Sequence, residues 1–132
     1  MAEMLDFPAT VEKVASPPLA PDAQPIDRAH LFRMTLGDHG LECEVLQLFD
    51  QQARLLMARM GEADPAGVAT LAHTLQGSAR GIGAWGIARA AEAVEVAAKA
   101  KSGPKTALQS AMNGLSTATE EARRAIAELL RT

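Results

Sequence analysis

Residues 64–84 read DPAGVATLAHTLQGSARGIGA, and their periodicity decides the fold class. Asp64 is a helix-capping residue, and Pro65 suits the first helical position, where its missing N–H would have no partner anyway. On a wheel of about 100° per residue with Val68 at zero, Leu71, Ala72, Leu75, Ala79 and Ile82 fall within roughly 60°. One face of a helix over 65–82 therefore belongs to a core. On the same wheel Gln76 falls at about 80°, Arg80 at about 120°, His73 at about 140° and Gly77 at about 180°. His73 thus lies near the face opposite the core. A mid-helix glycine costs about 1 kcal/mol relative to alanine, so Gly77 needs a reason. At that position it leaves the imidazole open to a close-approaching partner. Gln76 offers neutral donors, and Arg80 a charged planar fork suited to phosphate or carboxylate. An exposed imidazole with such neighbours is a nucleophile toward phosphorus.

The same reading extends outward from this helix. A short helix is predicted over 27–35, with Asp27 as N-cap and Leu31 and Leu36 as buried anchors. Gly37 and Gly40 follow it. A long helix over 41–60 carries Leu41, Val45, Leu48, Gln52, Leu55 and Leu56 at helical spacing, with Phe49 beside them, and Gly61 stops it. A helix over 85–101 aligns Ile87, Ala91, Val94 and Ala98, and Ser102-Gly103-Pro104 ends it. The last, over 105–130, places Leu108, Met112, Leu115, Thr119, Ala122, Ile126 and Leu129 at alternating spacings of four and three, a seam suited to bundle packing. Five of the seven prolines fall in the first 25 residues. That stretch reads as an extended arm, in which Met4, Leu5, Phe7, Val11 and Val14 can pack on the domain or form one helical turn. The expected architecture is all-α: an antiparallel up-down-up-down four-helix bundle over 26–132, with a short N-terminal capping helix and a proline-rich arm over 1–25.

Composition agrees with this. The chain has 132 residues, 48% hydrophobic and 22% charged, with a net charge of −3. That suits one soluble domain. Its 27 alanines favour helix. No stretch approaches the roughly 20 apolar residues of a membrane span, and no signal-peptide pattern opens the chain. A pI near 5.6, no tyrosine and one tryptophan speak against nucleic-acid binding. A single cysteine, Cys43, excludes an internal disulfide and a cysteine-cluster metal site. It reads as an ordinary thiol between Glu42 and Glu44.

The run His73-Thr74-Leu75-Gln76-Gly77-Ser78-Ala79-Arg80-Gly81-Ile82-Gly83-Ala84 resembles the signature of histidine phosphotransfer (HPt) domains of two-component phosphorelays. In that signature a leucine stands two after the histidine, a lysine usually three after, and a glycine four after. A small residue follows, and Gly-Ala lies about ten on. The resemblance extends through Glu92 and Glu95, includes Phe49, and covers 26–131. It implies a four-helix bundle whose exposed histidine carries phosphate. His73 matches the phosphoacceptor and Gly77 the residue that keeps the ring accessible. Gln76 departs from the usual lysine and adds no positive charge, which Arg80 partly offsets. Glu95, as a carboxylate near the ring, can accept the Nδ1–H and leave Nε2 as nucleophile.

The resemblance further implies receiver domains of response regulators, or a hybrid histidine kinase, as partners. The partner supplies the aspartyl phosphate and its Mg²⁺, so no cofactor and no metal site are expected in this chain. Without a phosphate-binding glycine loop it is a phosphotransfer intermediate rather than an autonomous kinase. The docking surface is expected around Ala69, Thr70, Gln76, Gly77, Arg80 and Gly81, with Trp85 on its rim as an interface anchor. A cytoplasmic, bacterial monomer follows. His30 and His39 read as incidental, since no nucleophile–base pair or metal set lies near them, Glu92 as structural, the Arg123-Arg124 pair as a solvated face, and Met57, Met60 and Met112 as core filler. Two other classes compete: a helical adaptor whose histidine is never phosphorylated, and a dimeric phosphotransfer domain.

Overall fold

The computed structural model describes residues 24–131. Five helices follow one another: α1 (Arg28–Met34), α2 (His39–Met60), α3 (Pro65–Ile82), α4 (Trp85–Lys99) and α5 (Lys105–Arg131). No strand occurs among the described residues. The apolar arm positions Met4, Leu5, Phe7, Val11 and Val14 lie outside them.

Side-chain caps set the helix starts. Asp27 accepts from the His30 N–H, Asp38 from Leu41 and Asp64 from Gly67, each satisfying a backbone donor with no partner inside its helix. Asp38 lets α2 begin two residues earlier than its apolar pattern suggests.

The four long helices close a ring. α2 packs on α3 and α5, α4 packs on α3 and α5, and α1 lies against α3. The core is built from Leu46, Phe49 and Leu56 of α2, Val68, Leu75 and Ile82 of α3, Ile87 and Val94 of α4, and Leu115 and Ile126 of α5. Ala72, Ala79, Ala88 and Ala91 are fully buried at its centre. Such small side chains let helix backbones approach closely. The α5 seam holds: Leu115, Thr119, Ala122 and Ile126 are buried, while Leu108, Met112 and Leu129 pack partly against the core.

Three expectations are corrected. Leu41, Leu48 and Leu55 of α2 are not core residues: they are 40%, 65% and 51% exposed. The inward stripe is instead Leu46, Phe49, Ala53, Leu56 and Met60. With Val45 and Gln52 between them, Leu41, Leu48 and Leu55 alternate spacings of four and three just as the inward stripe does, so periodicity alone could not choose between them. Leu36 is almost fully exposed and has positive φ in the turn after α1, so it anchors nothing. Arg123 is not a merely solvated charge, because its Nε donates to Asp50 Oδ1 at 2.8 Å and ties α5 to α2.

A polar clasp joins α1 to the α3–α4 turn. The Asp27 N–H donates to the Gly83 carbonyl at 2.9 Å. Trp85 Nε1–H donates to Asp27 Oδ2 at 2.9 Å. His30 Nε2–H donates to the Gly81 carbonyl at 3.1 Å, and its ring meets Trp85 edge to face at 5.0 Å. His30 thus has a structural part in the clasp. Gly83 is the hinge of this clasp. Its φ is +87°, and a Cβ there would sit 3.0 Å from Asp27 Cβ, so an L side chain would be both strained and crowded.

The indole hydrogen bond, aided by the His30 N–H, holds the Asp27 carboxyl below its ordinary value against an opposing effect of burial. A depressed carboxylate contributes stability that is present above its unfolded value and lost as pH falls through the folded one. The clasp is therefore intact at neutral pH and loosens below about pH 4. Asp27→Ala is expected to lower stability at pH 7 by about 1–2 kcal/mol, through loss of the cap and of a charge-assisted bond. Asp27→Asn keeps the cap but is expected to flatten the acid limb of the stability profile. Urea unfolding followed by circular dichroism between pH 3 and 7 checks both.

Candidate functional site

His73 stands on α3 between two buried neighbours, Ala72 and Leu75, which pin its backbone while the ring points out. Its side chain is 72% exposed. The buried residues Ala91 and Val94 fix α4 against α3, and Glu95 follows Val94 into the rim of that contact. His73 Nδ1 and Glu95 Oε1 lie 3.2 Å apart. A carboxylate only accepts at neutral pH, so Nδ1 carries the proton and donates it. Nε2 is then the nitrogen with a free lone pair. Glu95 Oε2 accepts from Lys99 Nζ, one helical turn on, at 3.0 Å.

These contacts set the charge state of Glu95. The Lys99 ammonium first, and then His73, hold its carboxyl below the ordinary value, although partial burial opposes them. Glu95 is only 16% exposed. It is therefore ionised at neutral pH and available as the acceptor for the ring proton.

An open concavity of about 300 Å³ surrounds the histidine, lined by Ala69, Thr70, His73, Thr74, Glu95 and Lys99. Two of its hydroxyls are committed: Thr70 donates to the Ala66 carbonyl and Thr74 to the Thr70 carbonyl, each at 3.2 Å. One turn beyond His73, Gly77 is exposed, and a Cβ built there would meet nothing within 4 Å. Packing within the described residues thus gives no reason for glycine at 77, and the surface there is bare backbone. Gly81, a further turn on, is equally open to an added Cβ.

The structure brings His73, Glu95, Thr70 and Ala69 together and places other candidates elsewhere. Ala69 lines the concavity although it is only 5% exposed. Gln76 is 7% exposed and does not line the concavity. Arg80 is half-buried one turn further on, also outside the concavity. Trp85 is half-buried in the clasp with its N–H committed to Asp27, which corrects its place as a free rim anchor. Sequence reasoning missed Lys99. The signal was present, since a lysine four residues after Glu95 lies on the same helix face. It also missed a groove beside this face, lined by Val45, Leu48, Phe49, Gln52, Ser78 and Ile82.

Among the described residues no group of His, Cys, Asp or Glu can hold a metal ion, and no helix is long and apolar enough to cross a membrane.

The family model of the Hpt domain matches residues 44–130, which include His73, Gly77, Glu95 and Lys99. The chain belongs to the Hpt domain family. No curated protein and no solved structure matches it. Hpt domains carry phosphoryl groups in phosphorelays and interact with receiver and kinase domains. The match spans α3, α4, most of α2 and nearly all of α5, whereas α1, with the Asp27 and His30 side of the clasp, precedes it.

Proposed function

We propose that this Hpt protein is a cytoplasmic, bacterial phosphorelay intermediate that moves a phosphoryl group between receiver-domain aspartates through His73. The observation that carries the reading is the exposed His73 ring, tethered through Nδ1 to an ionised Glu95, beside a glycine that leaves the approach bare. A ring held this way presents Nε2 outward in one tautomer.

The transfer balances without an external base. Nε2 attacks phosphorus in line with the leaving aspartyl oxygen. The P–N bond forms as the P–O bond breaks, and the electron pair leaves with the receiver carboxylate. The ring becomes a phosphorylated imidazolium whose Nδ1–H stays with Glu95, and the carboxylate offsets the new positive charge. Return of the phosphoryl group to a second aspartate is the reverse. The Mg²⁺ that offsets charge on the phosphoryl oxygens belongs to the receiver. The four long helices in up-down-up-down order serve as a rigid, monomeric platform.

Docking of the receiver covers Thr70, Gly77 and Gly81 and extends onto α2. Leu48 and Gln52 share a groove with Ser78, the residue after Gly77, so Leu48 lies on the α2 side of the bare Gly77 surface. An apolar stripe at seven-residue spacing suits a helix of the partner. Leu48→Glu and Leu55→Glu are each expected to raise KM for a phosphorylated receiver about tenfold at unchanged kcat, as for loss of an interface anchor. Thermal unfolding should stay within about 0.5 kcal/mol of the parent, because the side chains are exposed. Unchanged KM in both variants would move docking away from α2.

Incubation with a ³²P-labelled phosphorylated receiver tests the central reading. Acid-labile, alkali-stable label on this chain is the expected result. Absence of label with a panel of receivers favours an adaptor that only binds.

A further inference from the structure

Phosphorylation of His73 places a dianion next to Glu95, a carboxylate that the ring tether keeps in place. The site needs a cation with protons to give, and position 76 does not bring one. Gln76 is neutral and buried outside the concavity. Within the concavity Thr70 and Thr74 have already given their hydroxyl protons to backbone carbonyls, and Ala69 has none to give. Lys99 remains. Its ammonium has three N–H donors. One meets Glu95 Oε2, and the side chain, 65% exposed, carries its ammonium on a flexible four-carbon stem that lets it turn.

We propose that Lys99, on α4, is the phosphoryl-binding cation of this site, shared between Glu95 and the phosphorylated Nε2 of His73. In the resting site Glu95 holds the ammonium at the edge of the concavity and the ring in one tautomer. Once phosphorus is attached, the ammonium bridges Glu95 and a phosphoryl oxygen, so that dianion and carboxylate do not face each other uncompensated. Lys99 acts on the phosphoryl oxygens alone and takes no part in proton transfer. This assignment rests on His73 as the phosphoacceptor.

The consequence concerns the lifetime of the phosphorylated state. P–N cleavage passes through a loose transition state in which negative charge drains from the phosphoryl oxygens to the departing nitrogen. A cation on those oxygens holds the charge where it is and slows loss to water. Removing it shortens the lifetime and makes the phosphoryl group easier to protonate.

The test makes phosphohistidine chemically, so it does not depend on any relay partner. Phosphoramidate transfers its phosphoryl group to an imidazole nitrogen and leaves as ammonia. The ³¹P signal of phospho-His73 is the one missing from His73→Gln. Its decay at pH 8 is expected to be about threefold faster in Lys99→Gln, near wild type in Lys99→Arg and unchanged in Lys101→Gln, as for loss of one exposed charge-assisted contact. In a ³¹P titration the phosphoryl midpoint should rise by about half a pH unit in Lys99→Gln, a shift that a merely structural lysine would not produce. Equal lifetimes and midpoints in wild type and Lys99→Gln overturn the proposal. If receivers deliver no label yet Lys99→Gln shortens the chemically made phosphohistidine, the relay reading fails and the Lys99 assignment stands. If receivers deliver label and Lys99→Gln changes neither quantity, the assignment fails alone.

Discussion

His73→Gln is expected to abolish acid-labile label from a phosphorylated receiver, a loss of about a hundredfold or more, as for removal of a nucleophile. Glutamine matches much of the bulk of imidazole and keeps a polar surface group. The side chain it replaces is largely exposed and bonds to Glu95. Stability should therefore change by about 0.5 kcal/mol or less, and receiver binding should persist. The two other histidines are the internal control. His30 spends its Nε2 proton on the Gly81 carbonyl, and His39 sits at the first turn of α2 beside Glu42 and Cys43. Neither has the combination of a tethered Nδ1 and a bare approach. Label retained in His73→Gln and lost in His39→Gln would reassign the acceptor and overturn the site.

Gly77 yields the second large effect, and one with opposite signs in two measurements. An added Cβ at 77 meets nothing within 4 Å, so Gly77→Ala is expected to stabilise the domain by about 0.5–1 kcal/mol through helix propensity. In a domain of this size that is an increase of about 2–8 °C in Tm. Gly77→Leu should also fold. Yet it places a branched side chain one turn from the imidazole, where the receiver must bring phosphorus to bonding distance. Displacing that approach by about 1 Å costs on the order of a hundredfold in rate. Transfer is thus expected to collapse in Gly77→Leu, and to fall more modestly in Gly77→Ala, while Tm rises or holds. If Gly77→Leu transfers at the parental rate, nothing approaches that face closely and the glycine has another cause.

How much of this was legible in the sequence varied with the physics involved. On α3 the apolar stripe was unambiguous, and the capping Asp64 and Pro65 marked its start, so the exposed position of His73 could be read directly. The α5 seam was legible for the same reason. α2 was not, because the series Leu41, Val45, Leu48, Gln52 and Leu55 alternates spacings of four and three just as the buried series Leu46, Phe49, Ala53, Leu56 and Met60 does. Which stripe faces inward depends on how α3 and α5 present themselves, and that is tertiary information. Glu95 was reachable through family resemblance, and Lys99 through its place one helical turn after Glu95 on the same face. The clasp was invisible for a different reason. Asp27 and His30 are far in sequence from Gly83 and Trp85, and only the return of the chain at the α3–α4 turn brings the two pairs together. The Gly83-Ala84 pair, noticed as a motif, acquires its cause there: a left-handed residue with no room for a side chain.

The clasp has a practical corollary. Trp85 is the sole tryptophan of a chain without tyrosine, so ultraviolet emission above 300 nm comes from a single indole. That indole donates to a carboxylate and touches a histidine edge, and both groups quench or shift emission when their geometry changes. The turn it occupies opens α4, the helix that carries Glu95 and Lys99. The wild-type protein therefore contains a built-in optical gauge of whether α1 stays latched to the frame behind the histidine, readable in real time during receiver encounter without any dye.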